Sequence, residues 1–163
     1  MEKNNQKYAN KTFEDLVQDL LMKIERCDQY AEGVLEIFAE QRKRRLTNLL
    51  KTHKKKDAYH KMARVGLVVK RRTFNFSDGL IVGENKQMVL VLYKGYQRST
   101  TISVKNHVYD IKRILKGVSH NISDEEAMFY ERLIIGTNNH RRDIKDIKTI
   151  LKMIAQIRER GTV

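Results

Sequence analysis

Apolar residues recur at alternating intervals of four and three between residues 13 and 38, and this spacing limits the fold more than any other feature of the sequence. The series is Phe13, Val17, Leu20, Ile24, Cys27, Ala31, Val34 and Phe38. It predicts an α-helix nearly four heptads long with one apolar seam. Thr12 is the expected N-cap, followed by acidic residues in the first turn. The seam either packs on the protein's own core or forms a homodimer through residues 13–38.

The helical pattern continues from residue 42 to residue 64 with a thinner apolar stripe. The chain either runs on as one long helix or turns back near Gln41 as a helical hairpin. Residues 1–64 are therefore expected to form an N-terminal helical arm. The first part of this arm is acidic and the second part is strongly basic.

The periodicity changes at Gly66, where short runs rich in β-branched residues replace the helical pattern. Four such runs, at residues 67–69, 80–82, 88–93 and 100–104, are separated by turn residues at 77–79, 83–86 and 94–96. Short strands joined by hairpin-length turns predict a small antiparallel β-barrel or curled sheet over residues 65–105.

Helical spacing returns after this β region. Residues 106–116 and 127–135 are expected to be helices, and Gly136 is the expected stop of the second one. The run Asn138-Asn139-His140 is expected to cap a last helix over residues 143–160. The predicted fold class is α+β: a helical arm, a small barrel over residues 65–105 and a helical region over residues 106–163.

Positive charge is concentrated in one stretch of the chain. The protein has 33 Lys and Arg against 20 Asp and Glu, a net charge of +13. Residues 42–72, here called the basic block, hold thirteen basic side chains and one acidic one, whereas residues 1–41 have a net charge of −4. Because a solvated helix face usually mixes both signs, such a one-signed block predicts a polyanionic partner, with nucleic acid first.

The predicted nucleic-acid contacts lie mainly in the basic block, where helical spacing places Arg44, Asn48, Lys51 and Lys55 on one face. A turn of the β region adds two cations and a tyrosine. The full predicted set is Arg42, Lys43, Arg44, Arg45, Lys51, Lys54, Lys55, Lys56, Lys61, Arg64, Lys70, Arg71, Arg72, Lys94, Tyr96 and Arg98. Phe74 and Phe76 are expected in the core. Because lysine binds phosphate as a point charge, the expected binding is salt-sensitive and depends little on base sequence.

Catalysis, metals and cofactors have little support in the sequence. Asp78 followed by Glu84-Asn85-Lys86 resembles the carboxylate–lysine arrangement of Mg²⁺-dependent nucleases, but the gap is short and residues 83–86 favour a turn. Cys27 lies on the apolar seam and is expected to be a core residue rather than a nucleophile. No catalytic residue, metal ligand or cofactor is therefore predicted.

The sequence also favours a cytoplasmic protein without a membrane partner. No run approaches the roughly 18 apolar residues of a membrane span, and the first residues lack the apolar centre of a secretory signal. The single cysteine favours a reducing compartment.

Residues 65–104, entered through Gly66-Leu67-Val68-Val69 and turning at Asp78-Gly79, resemble a KOW/Tudor (SH3-like) barrel. With its small size, high Lys and Asn content and lack of Pro and Trp, the chain is similar to DNA-binding early proteins of T-even-type bacteriophages. This resemblance implies a non-enzymatic protein that binds double-stranded DNA in the host cytoplasm and alters nucleoid compaction or transcription. A host nucleoid or transcription protein would be a further partner.

Three alternatives stay open. The first is an RNA-binding protein of the same architecture, with Phe74 and Tyr96 stacking on bases. The second is a Mg²⁺-dependent nuclease that uses Asp78, Glu84 and Lys86. The third is an adaptor whose acidic helix binds a protein partner.

Overall fold

The computed structural model describes residues 12–62, 65–94, 97–101 and 124–161, with the backbone alone for residues 92–94 and 97–101. Helix α1 spans Phe13–Leu50 and helix α2 spans Lys55–Lys61. Strands β1, β2 and β3 span Val65–Phe76, Ile81–Lys94 and Gln97–Thr101, and helix α3 spans Asp124–Glu159. The predicted α+β class is confirmed.

Helix α1 begins where the sequence predicted, and it ends between the two expected points. The backbone N–H of Asp15 donates to the Thr12 hydroxyl at 3.3 Å, and the Asp15 carboxylate accepts from the Thr12 N–H in return. The helix passes Gln41 without a break and ends at Leu50, so the alternative of a hairpin near Gln41 is wrong. The alternative of one long helix through the basic region is wrong as well. The helical face expected to continue from Arg44 to Lys55 ends here as well, because residues 51–54 separate α1 from α2.

Helices α1 and α3 pack antiparallel along most of their lengths. Contacts at three levels mark the pairing: Glu14 with Arg158, the Cys27 carbonyl with His140, and Arg45 with Glu126. On the seam of α1, Ile24, Ala31 and Phe38 are buried. The seam therefore packs on the protein's own core.

Helix α3 runs through two predicted boundaries. Gly136 was the expected stop and residues 138–140 the expected cap, but all four lie inside the helix. A Cβ at residue 136 would lie 3.0 Å from the Tyr30 hydroxyl of α1. The residue therefore lies where α3 contacts α1, and tertiary packing outweighs the low helix propensity of glycine.

Strands β1 and β2 form one long antiparallel hairpin, in register from Val65 opposite Leu92 to Phe76 opposite Ile81. The predicted turn at residues 77–79 is confirmed, with positive φ angles at Ser77, Asp78 and Gly79. Left-handed backbone of this kind is easy for glycine and tolerated by aspartate.

The second predicted turn, at residues 83–86, is wrong. These residues are paired within β2, with Gly83 opposite Phe74 and Glu84 opposite Thr73. A Cβ at residue 83 would overlap the Phe74 ring. The glycine makes room for an aromatic side chain across the hairpin, and two long strands replace three of the predicted short ones.

The sheet has the order β1-β2-β3 and is open along the strands that the structure describes. The small closed barrel expected over residues 65–105 is therefore not formed by these strands. The last strand lies at Gln97–Thr101, earlier than the expected 100–104, while residues 102–104 and the predicted helix at 106–116 lie outside the described residues.

The hairpin lies against both long helices, and two apolar clusters fill the space between them. The first cluster includes Ala31, Phe38, Leu67, Leu90 and Tyr130. The second includes Ile24, Phe74, Ile81, Ile144 and Leu151. A small third cluster, formed by Leu49, Ala58 and Met62, holds α2 against the end of α1. This third cluster therefore places the cations of α2 near those at the end of α1.

Candidate nucleic-acid interface

Seven cations of the basic block have exposed side chains on the end of α1, on α2 and on the segment between them. These outward cations are Lys43, Arg44, Lys51, Lys54, Lys55, Lys56 and Lys61. Arg44 pairs with Glu40 one turn earlier at 2.8 Å, and both side chains are largely exposed. Among the described residues, it is the only one of the seven with a carboxylate partner. The surface therefore carries a strong excess of positive charge.

Two arginines of the same block point inward. Nη1 of Arg42 donates to the Val65 carbonyl at 2.8 Å, and the guanidinium lies 5.7 Å from the centre of the Phe38 ring. Nε of Arg45 lies 3.3 Å from Oε2 of Glu126 on α3. These two side chains tie α1 to β1 and α3, so we leave them out of the proposed nucleic-acid contacts.

The carboxylate that receives Arg45 is buried. The Glu126 side chain is 3% exposed, and Tyr130 donates its hydroxyl to Oε1 at 3.4 Å. Burial raises the pKa of Glu126, and the positive charge of Arg45 acts against that rise. Burial, followed by the neighbouring Glu126 charge, raises the pKa of Tyr130. Arg45 thus favours the ionised form of a carboxylate that is almost fully buried.

The remaining predicted contacts are spread over the hairpin. Lys70 is half-buried, and Arg71 lies 3.5 Å from the Glu84 carboxylate. Arg72 is exposed and faces α3, with its Nε donating to Gln87 at 3.2 Å. Arg64 and Tyr96 lie outside the described residues, as do the side chains of Lys94 and Arg98.

The two phenylalanines of β1 pack as expected. Phe74 is buried in the second apolar cluster, and the half-buried Phe76 packs against that cluster. Their rings stack with centroids 5.3 Å apart. Phe74 is therefore not available to stack on a base.

A second basic surface lies between the hairpin and α3, in a groove of about 660 Å³ that we call the cationic groove. Its cations are Arg72 and Lys86 from the hairpin and Arg141, Arg142, Lys145, Lys148 and Lys152 from α3. No Asp or Glu of the described residues lines it. Of its seven cations, only Lys86 has a carboxylate partner in the described chain, namely Glu32.

Lys148 is held in place at the wall of this groove. Its Nζ donates to Oδ1 of the buried Asn85 at 3.2 Å and lies 5.4 Å from the centre of the Phe74 ring. Burial lowers the pKa of Lys148, and the nearby charge of Arg72 lowers it further. An anion in the groove would oppose both effects.

The five groove cations of α3 are absent from the predicted contacts. Residues 117–163 have a net charge of only +1, because acidic residues of the same segment offset the basic ones. The signal that could have revealed the groove is spacing: Arg141, Lys145, Lys148 and Lys152 follow one another at four, three and four residues. These four therefore share one face of α3.

The residues of the nuclease pattern have other partners. Glu84 pairs with Arg71, Lys86 pairs with Glu32, and Asp78 lies in the hairpin turn. Within the described ranges, no group of three or more His, Cys, Asp or Glu side chains could hold a metal ion. The geometry thus gives the nuclease alternative no support.

Cys27 is half-buried and packs against the second apolar cluster, as expected for a core residue. Burial raises the pKa of its thiol, and the charges of Asp143 and Asp28 add to the effect. The thiol form is favoured, which disfavours a role as nucleophile.

No protein-family model matches the chain, and comparisons with curated proteins and with solved structures give no match either. Within the described part of the chain, the helices are too short or too polar to cross a membrane.

Proposed function

We propose that this protein is a non-enzymatic, largely sequence-independent binder of double-stranded DNA. The observation that carries the proposal is the set of seven outward cations on α1, α2 and the segment between them, of which only Arg44 has a carboxylate partner in the described chain. Contacts between such cations and phosphates release counterions, which supplies most of the affinity in non-specific DNA binding.

The composition of this surface favours phosphate contacts over the recognition of bases. Six of the seven outward cations are lysines. Lysine is a flexible point charge, whereas base-specific contacts in the major groove are made most often by bidentate arginine or amide side chains held in a fixed geometry. The surface should therefore bind different duplex sequences with similar affinity.

The biological setting rests on the resemblance to early phage proteins with a KOW/Tudor barrel. We propose on that basis that the protein acts on nucleoid compaction or transcription in the host cytoplasm. Closure of the sheet into such a barrel is part of this proposal, but the outward cations lie outside the sheet and their role does not depend on it.

A block variant and a matched control test the proposal. The block variant, Lys51→Gln with Lys55→Gln and Lys56→Gln, removes three exposed charges. The control, Lys23→Gln with Arg26→Gln and Arg132→Gln, removes three exposed charges elsewhere on the helices. Fluorescence anisotropy with two duplexes of unrelated sequence should show that the block variant binds both with roughly tenfold or more lower affinity than the wild type. The control variant should lose much less affinity.

Two additional arms separate the alternatives. An RNA of equal length, bound clearly more tightly than the duplexes, would replace duplex DNA by RNA as the partner. Cleavage of the duplex in the presence of Mg²⁺ would contradict a non-enzymatic function. Equal affinities for the block variant and the control would contradict the assigned surface.

A further inference from the structure

The cationic groove is a second basic site that duplex binding by the basic block leaves unexplained. The block's outward cations lie on α1, α2 and the segment between them, whereas the groove lies between the hairpin and α3. Four of the five α3 cations in the groove are exposed, and Lys148 is half-buried. The two surfaces belong to different elements and can be changed separately.

Six of the seven groove cations have no carboxylate partner in the described chain. Arg141, Lys145, Lys148 and Lys152 repel one another along one helix face, and no described carboxylate lines the groove. In addition, Lys148 is half-buried, and this loss of contact with water lowers its pKa. A bound anion would offset the repulsion and the desolvation together, so the arrangement favours an anionic ligand.

The line of the α3 cations indicates the shape of this ligand. From Arg141 to Lys152 the helix rises about 16 Å, and four of the seven groove cations follow one face of α3 over that length. One path of charges matches the backbone of one strand. A volume of about 660 Å³ lies within the range of roughly 300–1,000 Å³ typical of small-ligand clefts, which suits a few nucleotides.

The opposite wall of the groove holds Arg72 and Lys86 together with groups suited to bases. The half-buried Phe76 ring lies on this wall, and Gln87 presents an amide there. Asn138 and Thr149 add polar groups on the α3 side. Single-strand-binding sites combine a positively charged track for the backbone with flat side chains for the bases.

We propose that the cationic groove binds a single strand of nucleic acid, with the α3 cations on successive phosphates and the hairpin wall against the bases. This site adds to the duplex-binding surface of the basic block and does not depend on it.

The test uses the full chain with an oligothymidine of about 12 nucleotides and a duplex of the same length. The groove variant is Arg141→Gln with Lys145→Gln and Lys152→Gln, three exposed side chains. The variant should lose roughly tenfold or more in affinity for the single strand and change little for the duplex. The block variant, Lys51→Gln with Lys55→Gln and Lys56→Gln, should show the opposite pattern. Equal losses on both ligands in both variants would overturn the proposal.

A footprint on the unmodified protein gives an answer that does not depend on how the variants fold. Acetylation of lysine amines, measured by mass spectrometry, should be slowed by the oligothymidine at Lys145 and Lys152 while Lys51 and Lys55 stay reactive. Inorganic tripolyphosphate is the competitor. If it displaces the oligothymidine at comparable charge concentration, the groove binds phosphate alone and the single-strand proposal is wrong.

Discussion

The seven outward cations of the basic block and the seven cations of the cationic groove are equal in number but are encoded differently. The block is a run of cations along the chain, and it divides in the structure: Arg42 and Arg45 hold the fold together, while seven others face outward. The groove gathers its cations from β1, β2 and α3. Charge density along a chain therefore does not indicate which cations are free to bind a ligand.

The sharpest contrast lies between neighbours in the block. Arg45 reaches a buried carboxylate, whereas Arg44 reaches an exposed one. Removing one partner of a buried ion pair leaves the other charge without compensation, which is costly. Exposed ion pairs on a helix contribute little to the free energy of unfolding.

The largest expected effect is on folding. Arg45→Ala should lower the free energy of unfolding by about 1–3 kcal/mol, because the buried Glu126 loses this cation while Arg42 still acts on it. Arg44→Ala, the matched control, should lower it by at most about 0.5 kcal/mol. Urea unfolding followed by circular dichroism measures both values. Adding Glu126→Gln to Arg45→Ala should restore part of the loss, and equal effects of the two single variants would contradict this division of the block.

An intermediate effect is expected at His140, which borders the cationic groove. Its ring lies in the core, with Nε2 donating to the Cys27 carbonyl at 3.0 Å. In that tautomer Nδ1 carries no proton, and it has no hydrogen-bond partner among the described residues. Burial lowers the pKa of His140, while the Cys27 carbonyl acts in the opposite direction. The folded protein therefore holds the neutral ring.

Because the pKa of His140 is lower in the folded than in the unfolded state, its contribution to stability is present above about pH 6.5 and is lost as the pH falls. The unfolding free energy of the wild type should fall by up to about 1.4 kcal/mol per pH unit below that value relative to His140→Gln. The raised pKa of Glu126 acts in both proteins and cancels in the difference, whereas the carboxylates of Asp28 and Asp143 act on His140 itself and belong to its effect. If the difference in unfolding free energy between the wild type and His140→Gln stayed constant from pH 8 to about pH 5, a neutral His140 would be contradicted.

The smallest effect concerns the groove itself. Lys145 faces Arg141, Arg142 and Lys148 at helical spacing and has no carboxylate among these neighbours. Lys145→Gln should therefore raise the unfolding free energy of the ligand-free protein by about 0.5 kcal/mol. The gain should shrink at high salt. Thermal unfolding at two salt concentrations measures it, and a loss of stability at low salt would show that Lys145 has a stabilising partner after all.

Local signals predicted the parts of the fold that depend on neighbouring residues. The heptad seam from Phe13 to Phe38 and the Thr12 cap gave α1, and the Ser77-Asp78-Gly79 run gave the hairpin turn. Gly83 and Gly136 misled the prediction because each glycine serves a contact with a residue distant in sequence, Phe74 in one case and Tyr30 in the other. Such contacts leave no local pattern.

The candidate site was predicted only in part, because its arrangement also depends on contacts between residues distant in sequence. The run of cations along residues 42–72 predicted a basic surface, but it did not show which side chains face outward. The inward orientation of Arg45 depends on Glu126, 81 positions away in the sequence, and the groove requires α3 to lie beside β1 and β2. Inspection of each helix face, rather than of the net charge of each segment, would have found the α3 cations.

The salt dependence of duplex binding tests the central claim most directly. The logarithm of the association constant should fall linearly with the logarithm of salt concentration between about 50 and 200 mM. The block variant should have a slope shallower by about 2.7, the value for three lost phosphate contacts, and the shift should be the same for two unrelated duplex sequences. A slope that matches the wild type would show that Lys51, Lys55 and Lys56 do not contact phosphates, and would contradict the proposed DNA-binding surface.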